Sequence, residues 1–456
     1  MVKIFFIRQA WSLTMAFLFI QAALFIAWNG FAAETLTLEE AIRIAIMQHP
    51  DIRAAGYRLE TEEAGITVAR SGFFPQVHLS ERFNRTSNPM WAFGTRLNQQ
   101  SIRQEDFDPN RLNDPDPINN FNTALALSWE VFNGGRTSNG LEQAKQNARI
   151  SSLDLNQIRQ NIIARTAKAY SGLLLAEEEL KMIRQVQKTA RTHLDMVRSR
   201  YDAGFVVKSD LLRAQVRIAE IEQQTLLVES RLNVAEAALN SAMGYPDNRS
   251  FYPTTPFAGR LEPTGAVEEW IQTALSRHPD LERLKTEEEI SRKEIEKAKS
   301  GHWPNLELVG SYEIDSENFS DTAENYTVGA VMRLNLFSGH RISAGIAAAK
   351  GSLKRIQELQ NSIKLKISLE TRQAFYMAQS AFKRINVAEG AVEEAGEALR
   401  IMQDRYANGI LPLVSLLDAE TAHQQALTHH FRARHDYQGA RIDLALATGI
   451  IDADFK

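Results

Sequence analysis

QHPDIRAAGYRLETEEAGITVARSGFFPQVHLS, residues 48–80, and RHPDLERLKTEEEISRKEIEKAKSGHWPNLELV, residues 277–309, are two versions of one passage. Each begins His-Pro-Asp, runs through charged helix-forming residues to Ser-Gly, and reaches a bulky pair whose second member is aromatic (Phe74, Trp303) before a proline (Pro75, Pro304). His-Pro-Asp reads as a break between two helices, because proline suits a first helical turn and the acid suits the positive end of the helix dipole. A catalytic His/Asp pair is the rival reading of the tripeptide, and capping is preferred.

Adding 229 carries His49, Pro50, Asp51 and Pro75 onto His278, Pro279, Asp280 and Pro304 without a gap. Farther on the offset is 205: VFNGGR at 131–136 falls on LFSGHR at 336–341, and YDAGFVVKSDLLRA at 201–214 falls on YANGILPLVSLLDA at 406–419. Leu239 and Gly244 meet Leu444 and Gly449 in the same frame. The chain is therefore read as a tandem duplication, 34–250 and 251–456, with the 24-residue change of frame between residues 80 and 124. A repeat this long points to two halves of one architecture rather than a short-period solenoid.

Each half opens with a helical segment, then switches to a period of two. FNTALALSWEVF places Phe121, Thr123, Leu125, Leu127, Trp129 and Val131 on one face and Asn122, Ala124, Ala126, Ser128 and Glu130 on the other. LELVGSYEID sets Leu306, Leu308, Tyr312 and Ile314 against Glu307, Ser311, Glu313 and Asp315; YTVGAVMRLNL sets Tyr326, Val328, Met332 and Leu336 against Thr327, Arg333 and Asn335. QVHLSERFN alternates less cleanly, since Glu81 interrupts its apolar face. Four such strands, in β-hairpins over 74–132 and 304–337, fit tilted segments crossing an outer membrane, apolar side to lipid and polar side to a wet interior. A half-buried sheet of a soluble protein alternates in the same way. The aromatics near the strand ends (Trp91, Trp129, Trp303, Tyr326) and a secretory signal favour the membrane. The first hairpin connection holds the extra residues, including QEDFDPNRLNDPDPINNF, and reads as an exposed loop; the second, SENFSDTAEN, is short.

After each second strand, turns built on Gly134 and Gly135, or on Gly339, lead into proline-free helices expected over 136–203 and 341–407. Each would reach roughly 100 Å, far beyond an average helix. Leu141, Ala144, Ala148, Leu155, Ile158 and Ile162 keep a three-four spacing, as do Ile342, Ile346, Ala349, Leu353, Ile356, Ile363 and Ile367; this is coiled-coil packing with small residues admitted. Gly204 and Gly409 supply C-terminal caps, Asp210 and Ser415 lie near the start of the returning helices, and those helices are expected over 209–243 and 413–448. They are too short to retrace the outward ones unless stacked end to end with the segments around 51–72 and 280–301.

The 456 residues carry 52 basic and 56 acidic side chains and no cysteine. Disulfides, thiolate metal sites and cysteine nucleophiles are thereby excluded, and nothing favours nucleic acid as a partner. Lys3 and Arg8 precede an apolar stretch from Ala10 to Trp28, followed by GFAA at 30–33, which reads as a signal peptide over 1–33; a retained membrane anchor is the alternative. No later stretch is apolar enough for a spanning helix.

The whole chain after the signal resembles the TolC-like outer-membrane efflux proteins, on the paired His-Pro-Asp segments, the aromatic-proline strand starts, the VFNGGR and LFSGHR turns, and the two Tyr-x-x-Gly turns followed by Leu-Leu-x-Ala. The resemblance implies a mainly α fold with a transmembrane β part: a long coiled-coil helical barrel, with four strands per chain given to a 12-stranded barrel in a homotrimer. Such closure agrees with the physics, because four strands leave two unpaired edges that lipid does not tolerate. It implies as partners a periplasmic adaptor protein, an inner-membrane transporter of RND or ABC type, and outer-membrane lipid. It also implies a tip at the helical turns (Gly204, Gly409, Leu211, Leu212, Leu416, Leu417) that meets the adaptor and holds the channel shut. By position, the family's tip link carries over to Tyr406 and Asp210, and one acidic constriction to Asp418; a basic link residue falls on Leu411, and a second acidic ring on Ser415, so both of those are missing.

The expected function is a passive outer-membrane exit duct, open to solutes or polypeptides, with Glu130, Glu307, Glu313 and Arg333 lining the wet interior, because unpaired charges facing lipid are costly. A periplasmic coiled-coil scaffold without a pore is the main rival. An enzyme is the third reading, its best exhibit being His429, His430 and His435; their helical spacing does not bring them to one face, so neither a metal nor any cofactor is expected.

Overall fold

The computed structural model describes residues 34–246, 249–257 and 262–451. The expected signal peptide lies outside the described residues. The elements in chain order are β1 (Glu34–Leu36), α1 (Leu38–Gln48), α2 (Pro50–Ser71), β2 (Gln76–Thr86), α3 (Pro89–Asn98), α4 (Pro109–Asn113), β3 (Ile118–Phe132), α5 (Arg136–Asp202), α6 (Lys208–Met243), β4 (Phe251–Pro253), α7 (Val267–Arg277), α8 (Pro279–Lys299), β5 (Asn305–Ser316), β6 (Thr322–Arg333), α9 (Arg341–Ala407) and α10 (Leu413–Ala447). α5 and α9 are each 67 residues long, about 100 Å at the α-helical rise.

The chain divides into two compact units, each drawn from both sequence repeats. The first comprises residues 34–54, 156–278 and 364–451 and is helical apart from the short parallel pair β1–β4. Thr37 and Glu40 form a reciprocal capping box at the start of α1, which satisfies two backbone donors left free by helical geometry. His49 then ends α1, and its Nδ1 accepts the Asp51 N–H at 3.1 Å as α2 begins at Pro50. The tripeptide is a helix break, as its composition predicts. Gly244, at φ 80°, ends α6 against this break: a Cβ there would sit 2.9 Å from the His49 Cα, closer than any side chain tolerates, and the αL conformation itself disfavours other residues. In the second repeat Gly449 follows α10 and faces the Arg277 carbonyl beside the α7–α8 break. In each repeat the end of the returning helix therefore lies beside the helix break. Around these junctions, Ile42, Ile163, Ala164, Ala167, Ile442 and Ala445 form one buried cluster, and the buried Tyr170 hydroxyl donates to the Leu36 carbonyl at 2.9 Å while accepting the Thr255 N–H at 2.8 Å.

The second unit comprises residues 55–155 and 279–363. Its sheet is four-stranded and antiparallel in the order β2-β3-β5-β6, so β3 and β5, from different repeats, pair over most of their length. The two hairpins thus join in one sheet with β2 and β6 at its edges. β6 runs from Thr322 to Arg333, which leaves Leu334 and Leu336, expected in the strand, beyond its end. Gly134 allows the β3–α5 turn to press on the second repeat, since a Cβ there would lie 2.7 Å from the Trp303 Cβ.

The first hairpin connection corrects a second expectation. Residues 87–117 are for the most part exposed, as expected, but they are not an irregular loop: they hold α3, a 3-10 turn over Gln104–Phe107 and α4. Its Asn and Asp residues serve as caps: Asn88 accepts from the Trp91 N–H and Asp108 from the Asn110 N–H. Asp106 is buried, accepts the Arg103 N–H at 2.7 Å and pairs with Arg96 at 3.5 Å. Polar composition identified turn formers but not the side-chain hydrogen bonds that organise them.

Candidate functional site: the two-faced sheet and the helical turns

Strand alternation and register sort the sheet into two faces. Across the rows, Val77, Leu127, Gly310 and Val328 align, as do Leu79, Leu125, Tyr312 and Tyr326. These apolar side chains are largely exposed; Val328 is 81% and Leu79 74% accessible. An exposed apolar surface of this extent needs a partner or lipid. Aromatic rings bound it at both ends. Phe121 packs on Phe83 and Phe319, with centroids 4.7 and 4.1 Å apart, at the loop end. Trp129 donates its indole N–H to the Phe73 carbonyl at 2.9 Å near the helices, where Phe74 and Trp303 are also exposed. Two aromatic girdles flanking an apolar band are the mark of a transmembrane strand set. One further acid breaks this face: Glu324 lies in the same row as Glu81. That row is next to the loop-end aromatics, and Glu81 is bonded by the Thr123 hydroxyl.

The opposite face is polar and internally paired. Glu130 and Glu307 face each other across β3 and β5, a repulsive arrangement if left alone. Arg136 relieves Glu130 at 2.6 Å, with Asn133 and Asn305 also donating to it, and Arg333 relieves Glu307 at 2.8 Å. Glu313 accepts from Asn122 at 3.3 Å. The four charged residues expected on the wet side thus share one face.

The helical turns belong to the first unit. Gly204 and Gly409 adopt φ of 78° and 71°, and at the strand-to-helix turns Gly134, Gly135 and Gly339 are also at positive φ. Val207 and Pro412, not Asp210 and Ser415, are the N-caps of α6 and α10, and neither makes a side-chain capping bond; Asp210 and Ser415 are the third helical residues. Tyr406 is buried in a cluster with Val197, Ala214, Leu413 and Leu416, against which Leu211 and Leu417 also pack. The expected Tyr406–Asp210 link is not formed. The phenol oxygen has no hydrogen-bond partner of ordinary geometry among the described residues; Arg200 lies over the ring, 5.1 Å from its centroid, and donates to the Tyr406 and Ala407 carbonyls. Burial pushes the phenol pKa up, with Arg200 opposing and the Asp210 charge adding to the rise. Arg200 is the residue that the motif transfer missed.

Leu416 is only 1% exposed, which corrects its expected place on a contact surface: it holds the turns together from within. Of the four leucines named from sequence, Leu212 is the exposed one, and Phe205, Val207 and Ile410 join it at the surface. Asp418 is exposed.

α10 adds a polar stripe that sequence reading overlooked. Glu420 meets His193 at 2.7 Å, Gln424 accepts from Arg217 at 3.0 Å and donates to Gln224 at 2.9 Å, and Arg432 pairs with Glu179 at 3.3 Å. The stripe fastens α10 to α5 and α6 through side chains at multiples of four residues. That spacing of polar groups inside a coiled coil was the available signal. As for the histidines considered for a metal, His435 pairs with Asp436 at 3.6 Å, and no group of three or more metal-ligating side chains occurs among the described residues. No helix among them is long and apolar enough to cross a membrane.

The family described as Outer membrane efflux protein matches residues 41–245 and 270–450. The chain is 24% identical to the Proteases secretion protein PrtF of Dickeya chrysanthemi over 93% of its own length and 90% of the relative's. It is 21% identical to the Outer membrane protein TolC of Escherichia coli, covering 93% and 85%. Among solved structures, the Campylobacter jejuni CmeC outer membrane channel superposes with a TM-score of 0.77 at 18% identity, covering 90% of this chain and 85% of that one. The open state of the Neisseria gonorrhoeae MtrE outer membrane channel gives 0.74 at 20%, covering 91% and 89%. With an apolar sheet face bounded by aromatic girdles, a charged opposite face and two 67-residue helices, the chain belongs to the outer membrane efflux protein family, and it is an outer-membrane exit duct for efflux or type I secretion that extends into the periplasm.

Proposed function

We propose that three copies of the chain close a passive duct, each giving its four strands to a common 12-stranded barrel, with energy supplied by an inner-membrane transporter through a periplasmic adaptor. The observation that carries this reading is the sheet itself: β2 and β6 are its unpaired edges, one face is apolar and exposed, and the other holds Glu130, Glu307, Glu313 and Arg333. Lipid requires every backbone group to be paired, and β6 of one copy against β2 of the next satisfies both edges at once. In this assembly each sequence repeat supplies one hairpin unit, so the trimer has near-sixfold walls.

The helical turns form the adaptor-facing tip. Phe205, Val207, Leu212 and Ile410 present its contact surface, while the cluster around Tyr406 and Leu416 keeps the turns packed and shut. Asp418 supplies an acidic constriction in the closed tip, and Asp210 biases it by charge. Purified protein in a planar bilayer tests the reading: discrete channels from a heat-modifiable, detergent-stable oligomer are expected, with lower cation preference in Asp418→Asn. No conductance and no such oligomer would restore the pore-free periplasmic scaffold.

A further inference from the structure

The insert between β2 and β3 is bound to the polar face of the sheet. Gln99, at the C-terminal end of α3, donates to the Asn119 carbonyl and to the Asn120 side-chain oxygen, both at 2.8 Å. From the far edge of the sheet, Asn325 on β6 donates to the Asn98 carbonyl at 3.2 Å. Asn120 and Asn325 lie on the same face as Glu130, Glu307 and Glu313. The end of α3 is thus tied to β3 and to the edge strand β6 at the sheet's loop end, across its polar side and over β5.

Asp315 on β5 orients these ties. Its side chain is 1% exposed, a costly place for a carboxylate unless it is fully hydrogen-bonded. It accepts from Asn120 at 2.6 Å, Asn122 at 3.0 Å and Asn325 at 3.4 Å. A carboxylate only accepts, so it turns the NH2 of Asn120 toward itself and leaves the amide oxygen to receive Gln99. Asn325 has two N–H groups and divides them between Asp315 and Asn98. The insert has its own bracing, through Asp106 with Arg96 and through Phe93 edge-on to Phe107 at 5.8 Å, so what is tied down is a structured piece rather than a slack loop.

We propose that residues 87–117 form a size-selecting lid over the outward mouth of the bore, with Asp315 as the positioning residue that fastens it. This rests on the reading above that the polar face encloses the bore. Three copies would narrow the exit, so that the duct excludes bulky solutes arriving from outside independently of its periplasmic closure.

The absence of cysteine from the chain allows a clean test in whole cells. Ser128→Cys places a thiol on the polar face toward the helix end, below the lid, and Leu127→Cys places one on the apolar face beside it. External maleimide attached to a bulky polymer should modify Ser128→Cys slowly, and about tenfold faster when Asp315→Ala or Gln99→Ala is added, the effect of releasing one or two hydrogen bonds on an opening equilibrium. A small charged thiol reagent should react at similar rates in all three. Gln99 lies outside the strands, so Gln99→Ala serves if Asp315→Ala fails to assemble. Equal rates for the bulky reagent with and without these changes would overturn the lid. Reaction of Leu127→Cys but not Ser128→Cys with the small reagent would overturn the bore assignment instead.

Discussion

On the sheet, Val328 and Leu79 stand mostly exposed, whereas at the helical turns Leu413 and Leu416 are 2% and 1% accessible. Both regions are rich in aliphatic side chains, and both are read from alternating or three-four spacing, yet the chain buries one set against itself and leaves the other facing outward. Hydrophobic burial stabilises a fold in water only where the chain can supply the opposing surface. The turns supply it from α5, α6, α9 and α10. Among the described residues no layer covers the sheet's apolar side, which the proposed reading gives to lipid. The polar faces differ in the same sense: at the turns Arg200 is satisfied by backbone carbonyls, whereas on the sheet Glu130 and Glu307 are matched by Arg136 and Arg333 on a face that must remain wet.

The sharpest way to break this comparison is a pair of neighbours. Val328→Arg puts a charge on the apolar face near the middle of the strand and should prevent outer-membrane assembly, at a cost of about 2–4 kcal/mol per copy; Thr327→Arg, one residue away on the polar face, should assemble and change only conductance. Heat-modifiable oligomer in the outer-membrane fraction measures both, and equal tolerance of the two would erase the distinction between the faces. Next in size, Leu416→Ala should cost about 2–5 kcal/mol of stability from cavity formation, while Phe205→Ser, at the exposed turn, should change stability by less than about 0.5 kcal/mol. Thermal unfolding in detergent compares them; a large loss in Phe205→Ser would mean that the turn surface packs within the chain.

The smallest effect concerns pH. Burial, with Arg165 adding and Asp51 opposing, holds the His49 pKa below its ordinary 6.5. The unfolded chain therefore takes up this proton first. Stability should decline as pH falls through about 6.5 and level off below the folded-state value. In His49→Gln the slope of thermal stability between about pH 7 and about pH 5 should flatten; an unchanged slope would remove His49 as its source.

Much of this was legible in the residues. The duplicated His-Pro-Asp passage located the helix breaks, because proline and a following acid have local consequences that neighbours seldom override. Period-two alternation identified four strands and put Glu130, Glu307, Glu313 and Arg333 on one side, because a strand's side chains must alternate. Element ends were less secure at β6, where apolar alternation continues past Arg333 after pairing has stopped.

The tip shows where such reasoning reaches its limit. Position in a motif placed Tyr406 and Asp210 in a link, but a hydrogen bond depends on rotamers and on what else fills the space, and Arg200 occupies it. Leu416 and Leu212 are alike in sequence and opposite in burial, since that depends on helices far away in the chain.

By itself, then, the sequence determined what is local or periodic: the repeat, the breaks, the helix lengths, the two faces of each strand, and the absence of thiol chemistry. The tertiary structure alone decided which distant groups meet: the register of β3 on β5, the polar stripe of α10, and the ties from Asp315 to the insert. Backbone geometry is set by a few neighbouring residues, but partner choice among side chains is settled only when long-range packing brings them within the three or so ångströms at which a hydrogen bond acts.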